Sequence, residues 1–158
     1  MEQQRYFITP DGRDSLKKEL AKLQQDDRPQ IIQAIAEARA YGDLSENAEY
    51  HSAKEKQGMI EAKISYLKGV LSLGEVIDVS QLDGAIKFGA RVSLEDDVSG
   101  ETIEYQLVDD PEVDIEKNKL SIKTPLGRAL IGKDVDDEVV IRAPGGKRRY
   151  TILKVSYF

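Results

Sequence analysis

The stretch Tyr41-Gly42-Asp43-Leu44-Ser45-Glu46 decides how the first half of the chain folds, because one helical pattern stops there and another begins just beyond it. Upstream, Leu16, Leu20 and Leu23 recur at spacings of four and three, and after a polar interval so do Ile31, Ile35 and Ala38. Downstream, Ala53, Ile60, Ile64, Leu67 and Leu71 form a second stripe, regular from Ile60 and closed by Gly74. Such spacings put apolar side chains on one face of a helix. Two amphipathic helices joined by a short turn fold back antiparallel. Thr9 and Pro10 supply the start: a hydroxyl N-cap, then proline at the first helical position. The two upstream stripes are out of phase across Asp27 and Pro29, which predicts a stutter-like slip and a kink or local break. Helices of about 30 residues, rising ~1.5 Å per residue, predict a hairpin roughly 45 Å long with a projecting tip.

After Ile77 the apolar period changes to two. Ala90-Val92-Leu94 and Ile103-Tyr105-Leu107 alternate with polar residues, and Leu120 with Ile122, Val139 with Ile141, and 151–157 repeat the strand signal. Ser99-Gly100 and Pro144-Gly145-Gly146 mark turns. One short helix is expected, with Thr124 as cap, Pro125 first, Leu126, Ala129 and Leu130 on one face, and Gly132 at its end. The fold class is therefore α+β. A long antiparallel coiled-coil hairpin over residues 1–78 precedes a small antiparallel-sheet domain with one helix over 79–158.

Charged residues make up 33% of the chain, above the usual quarter or so, which suits a helix pair with two solvated faces. The net charge of −6 argues against the whole protein coating free duplex DNA, which needs a basic face. It leaves open a partner that itself carries nucleic acid. The lack of cysteine excludes disulfides and thiolate metal sites and fits a reducing cytosol. No signal-peptide core and no apolar run near the ~18 residues of a membrane span is present. A cytoplasmic protein with no membrane partner is expected.

Two readings of the turn stand side by side. An aspartate followed three residues later by glutamate, just before a helix, has capping-box spacing, and both acids suit the positive end of the helix dipole. Alternatively, Asp43 and Glu46 bind a metal. Mg²⁺ takes oxygen ligands and is usually held by one or two carboxylates plus phosphates and water, so this turn offers half a site that a partner would complete. Arg39 and Lys54 can contact phosphate, and Tyr41 or Tyr50 can stack on an unpaired base. The competing readings are a solvated helix face for the two cations and packing at the hairpin end for the tyrosines. The single histidine, His51, is assigned no catalytic role.

The run from Ile32 to His51, with its core Gly42-Asp43-Leu44-Ser45-Glu46-Asn47-Ala48-Glu49-Tyr50, closely resembles the Gre family of bacterial transcript-cleavage factors, of the GreA type. So do Asn118 to Lys133 and the closing 151–157 segment, and the resemblance covers nearly the whole chain in register. It implies a coiled coil followed by a domain similar to FK506-binding proteins. It also implies binding to bacterial RNA polymerase, with the coiled coil passing down the secondary channel. Asp43 and Glu46 would then help hold a second Mg²⁺, shared with the polymerase, and position the water with which the polymerase cuts backtracked RNA near its 3′ end. By the same resemblance the factor is an activator and not an enzyme, needs no cofactor of its own, and acts as a monomer that reaches the nucleoid through the polymerase. Lys123, Thr124, Pro125 and Leu126 match the docking region, although the leucines also suit packing on the sheet. The alternating charges Glu19, Lys22, Asp26, Asp27 and Arg28 lack the larger basic patch of GreB-type members.

Three rivals are separable. A related antagonist would dock in the same channel without stimulating cleavage, and the intact Asp43–Glu46 pair speaks against it. A prolyl isomerase-like module would need an aromatic pocket, yet the expected strands carry only Tyr105 and Tyr150 before the final Tyr-Phe. A passive adaptor predicts that changing both tip acids leaves function intact.

Overall fold

The computed structural model describes residues 5–43 and 47–158. It divides into two compact units, one spanning 11–74 and one combining the first residues with 75–158. Elements are numbered in chain order.

The helical unit contains α1 (Pro10–Lys22), a five-residue π segment (Leu23–Asp27), α2 (Arg28–Arg39) and α3 (Ala48–Leu73). The phase slip expected here, with a kink or local break near Pro29, takes the form of the π segment, through which the helical path continues. There the Arg28 amide donates to the Leu23 carbonyl, five residues back. A π turn holds one extra residue, so everything after it rotates by about 100° relative to an α-helix. That rotation cancels the phase slip between the two leucine and isoleucine stripes. Leu20 and Leu23 consequently pack on the same cluster as Ile31, Ile35, Ile60 and Ile64. The wider turn also leaves room before a proline ring that would otherwise press on the preceding turn.

In α3 the buried stripe runs Ile60, Ile64, Leu67 and Val70, so Val70 takes the place expected for Leu71, which is half-buried. Arg28 and Glu61 form a two-pronged pair at 2.7 and 2.9 Å that fixes α2 against α3 in register. Its hydrogen bonds hold the Glu61 carboxyl below the usual range. With 26 residues, α3 is about 39 Å long, somewhat shorter than the length expected from sequence.

The second unit is a five-stranded sheet in the order β5-β4-β3-β7-β6. Its strands are β3 (Arg91–Asp96), β4 (Thr102–Val108), β5 (Lys119–Ser121), β6 (Glu138–Ala143) and β7 (Gly146–Ser156). Four strands are antiparallel as expected. β5 instead runs parallel to β4, because the chain reverses twice between them, through the 3₁₀ turn Asp110–Glu112 and the Asp114–Lys119 bridge. Asp96 shapes the β3–β4 turn by accepting the amides of Val98 and Ser99, which keeps its carboxyl below the usual range, and Gly100 takes a positive φ of 73°. The helix α4 (Pro125–Leu130) begins as read from sequence: Thr124 Oγ1 accepts the Gly127 amide at 3.1 Å. Leu126 and Leu130 join Ile86, Val92, Leu94, Leu107 and Ile152 in the core.

A short strand β1 (Phe7–Ile8) pairs in parallel with β2 (Glu75–Val76). Here the division of the chain departs from the boundary expected near residue 79. Asp109 and Glu112 are 2% and 7% exposed, and buried carboxylates need donors. The chain start supplies them. The Phe7 amide donates to Asp109 at 3.0 Å, and the amide and hydroxyl of Thr9 donate to the two oxygens of Glu112 at 2.6 and 2.8 Å. Residues 5–10 thus belong with the sheet, and the return point is Glu75.

Ile64 is 2% exposed at the centre of the helical core. Ile64→Ala is expected to destabilise the helical unit by about 2–5 kcal/mol, read as a fall in the urea midpoint of the 222 nm circular dichroism signal.

Candidate functional site at the hairpin turn

The end of α2 and the start of α3 are joined by one side chain. α2 closes through the amides of Tyr41 and Gly42, which donate to Ala38 and Arg39, and Gly42 adopts φ +107°. Asn47 is the N-cap of α3: its Oδ1 accepts the Tyr50 amide at 3.0 Å. Its Nδ2 donates to the Ala38 carbonyl at 2.6 Å, satisfying an acceptor at the end of the other helix. The cap that the spacing suggested for Asp43 is therefore made by Asn47. Asp43 is exposed and shares a shallow, open depression with Tyr41, Asn47, Ala48 and Glu49. Glu46 lies outside the described residues.

The remaining turn residues separate into two groups. Tyr41 is 75% exposed beside Asp43, as a stacking side chain requires. Tyr50 instead packs against the isoleucine core, with the Arg39 guanidinium 5.8 Å from its ring centroid and His51 edge-on at 5.6 Å. The packing reading thus describes Tyr50, while Tyr41 is exposed. Arg39 and Lys54 line a separate groove with Ile32, Ile35, Ala36 and Gln57, and Lys54 Nζ donates to Gln57 at 3.4 Å. Sequence reasoning passed over Asn47 and Glu49. The signal for Asn47 was available, since asparagine just before a helical run is a preferred N-cap. Glu49 emerges only from the fold, which sets it in the depression that Asp43 lines. Among the described residues, no three acids or histidines gather into a set able to hold a metal on its own.

Around α4, Lys123 Nζ lies 3.1 Å from Asp110 and 3.5 Å from Asp109. The hydrogen bond to Asp110, then the charge of Asp109, hold the lysine above its ordinary range. Thr124 also donates to the Ser121 carbonyl at 2.8 Å. A side chain at Gly127 would meet that same carbonyl at 2.3 Å, so the turn closes only around glycine. Leu126 is buried, which leaves Lys123 and Pro125 as the exposed members of the four residues matched to docking.

Two family models match the chain in succession. One describes the N-terminal part of transcription elongation factors and covers residues 6–76; the other describes the GreA/GreB C-terminal part and covers 81–157. The chain belongs to the GreA/GreB family of transcription elongation factors. It is 55% identical to transcription elongation factor GreA of Ruegeria pomeroyi over 150 residues, covering 95% of this chain and 96% of that protein. It is 49% identical to GreA of Thioalkalivibrio sulfidiphilus, with the same coverage. Among solved structures, the GreA factor homolog 1 (Gfh1) of Thermus thermophilus aligns at 26% identity over 97% of this chain and 99% of that one, with a TM-score of 0.45. The GreA/GreB elongation factor from Nitrosomonas europaea aligns at 23% identity over 96% and 99%, with a TM-score of 0.43. Among the described residues, no helix of this GreA/GreB family member is long and apolar enough to cross a membrane.

The dual role of Asn47 can be split. Asn47→Asp keeps an oxygen for the Tyr50 amide but places a carboxylate against the Ala38 carbonyl, whereas Asn47→Ala removes both bonds. The alanine variant is expected to cost about 0.5–2 kcal/mol through the cap. The aspartate variant is expected to keep α3 intact while amide exchange at Tyr41 and Gly42 quickens. Site-resolved hydrogen exchange checks both outcomes.

Proposed function

We propose that this elongation factor docks on bacterial RNA polymerase, passes its helical hairpin into the secondary channel, and stimulates the polymerase's own hydrolysis of backtracked RNA near the 3′ end. The observation that carries the reading is the cap. Asn47 satisfies the start of α3, so Asp43 is not needed there and stays exposed beside Tyr41 and Glu49. An exposed acid that is not the N-cap of α3 is available to a partner, and this supports a job in a complex for an acid at this turn.

The donor chemistry suits Mg²⁺. Asp43 and Glu46 supply carboxylate oxygens, the ligand type this ion prefers, and two carboxylates are as many as it commonly takes from one protein. When bound, the ion activates a water and neutralises charge at the scissile phosphate. The residues of this chain do the rest. Asp43 and Glu46 bring negative charge to the polymerase's catalytic centre and orient its water. Tyr41 offers an exposed ring for an unpaired base at the RNA 3′ end. Arg39 and Lys54 lie on one groove and bring positive charge toward the RNA phosphates. Lys123 and Pro125 present the docking contact, with Thr124 and Leu126 holding the loop from behind. The factor is on this reading an activator without an active site of its own, and it works in the cytoplasm wherever the polymerase is.

The test is a backtracked elongation complex carrying labelled RNA. Wild-type protein should release 3′ fragments faster than polymerase alone. Asp43→Asn and Glu46→Gln should each lower that stimulation at least about 10-fold while still competing with wild type for the polymerase. Stimulation that survives both substitutions would show that the acids have no part in the chemistry.

A further inference from the structure

Aspartate followed by glycine occurs at Asp11-Gly12 and at Asp83-Gly84. This is the pairing in which an aspartyl side chain turns most readily on its own backbone. The amide nitrogen of glycine reaches the preceding carboxyl with no Cβ in the way. The fold treats the two pairs in opposite ways. Asp11 and Gly12 lie in the first turn of α1, where Gly12 is buried. A helical backbone fixes φ and ψ at values that keep an amide nitrogen from closing on the carboxyl before it, and close packing leaves no room for a ring.

Asp83 and Gly84 stand in the connection between β2 and β3, outside any helix or strand, and both are exposed. Among the described residues, the Asp83 carboxylate enters no hydrogen bond or ion pair, and the Gly84 amide donates to no acceptor. Gly84 takes a φ of +80°, and nothing lies within 4 Å of the place a side chain would occupy there. Asp78, in the same connection, shows the contrast. Its carboxylate caps the 3₁₀ turn Val79–Gln81, accepting the Ser80 amide at 3.1 Å and the Ser80 hydroxyl at 2.6 Å. The residue after it is the β-branched Val79. The chain is pinned on both sides of Asp83-Gly84. Leu82 donates its amide to Val79, Ile86 donates its amide to Lys133, and the Tyr157 hydroxyl donates to the Ala85 carbonyl at 2.7 Å.

We propose that Asp83 is a site of spontaneous isoaspartate formation in the folded protein. The Gly84 nitrogen attacks the side-chain carboxyl carbon of Asp83. A C–N bond forms, the C–OH bond of the carboxyl breaks, and the hydroxyl leaves as water with the amide proton. Water then opens the five-membered imide. Attack at the side-chain carbonyl restores aspartate. Attack at the backbone carbonyl routes the chain through the side chain and leaves the former backbone carbonyl carbon as a free carboxylate. One water leaves and one enters, so no oxidant, reductant or second substrate is required. The product carries an extra methylene in its backbone. That methylene falls between the anchored Leu82 and Ala85, where exposed chain accommodates it and the sheet core is untouched. The reaction is independent of the role proposed for Asp43.

The experiment incubates the full chain at neutral pH in water enriched in heavy oxygen, digests it with trypsin in ordinary water, and reads the peptides by mass spectrometry. Each passage through the imide installs a heavy oxygen at the residue that closed it. Label is expected on Asp83 in the peptide 69–87, which should split into two forms of equal mass and different retention. Electron-transfer fragmentation identifies the isoaspartyl form. Asp78 in the same peptide and Asp11 in the peptide 6–13 should stay unlabelled. In urea Asp11 should gain label, because the protection comes from the helix. Asp83→Glu, whose ring needs a further carbon, should lose both the label and the second form while its circular dichroism stays native. Absence of label from Asp83 in the native protein, label on native Asp11 equal to that on Asp83, or label that survives Asp83→Glu would each overturn the proposal.

Discussion

The Asn47 side chain is the interaction on which the turn depends. One amide group accepts from the first turn of α3 and donates to the last turn of α2, so the same residue ends one helix and begins the next. Helix ends leave four backbone groups each without partners, and a short turn has few residues with which to satisfy them. An aspartate at this position would cap but could not donate, and a serine could not reach both helices with the same geometry. Asparagine meets both demands, so the N-cap of α3 is Asn47 and not Asp43.

Side-chain hydrogen bonds to the backbone also organise the sheet unit. The buried acids Asp109 and Glu112 are consumed by structure, taking the amides of Phe7 and Thr9 and the Thr9 hydroxyl. These bonds attach the chain start to the sheet and set where the helical unit begins. On the loop before α4, Lys123 is exposed yet paired with Asp110 and Asp109.

Much of this was legible in the sequence. The four-three spacing of Ile60, Ile64 and Leu67 located the helical core, and Thr124-Pro125 located α4 with its cap, because both signals are local. What failed was non-local. The phase slip at Asp27 was legible, as a stutter with a kink or local break, but not that a π turn absorbs it, which packing against α3 decides. The parallel placement of β5 depends on two chain reversals that no strand pattern records. Phe7 and Thr9 join the sheet through carboxylates about a hundred positions away, and no window of sequence contains both partners. At the turn, the capping-box spacing of Asp43 and Glu46 signalled a cap, but the cap is Asn47, four residues nearer the helix than Asp43. Tyr41 and Tyr50 looked alike in sequence and part company only where the hairpin closes over one of them.

The central claim is that Asp43 and Glu46 complete a shared Mg²⁺ site in the polymerase. The most direct measurement is the Mg²⁺ dependence of RNA cleavage in a backtracked complex, with the factor present at saturation. The account predicts that wild type moves the Mg²⁺ midpoint to lower concentration, and that Asp43→Asn returns it to the midpoint of polymerase alone. A factor that raised the cleavage rate equally at every Mg²⁺ concentration, with the midpoint unmoved, would contradict it.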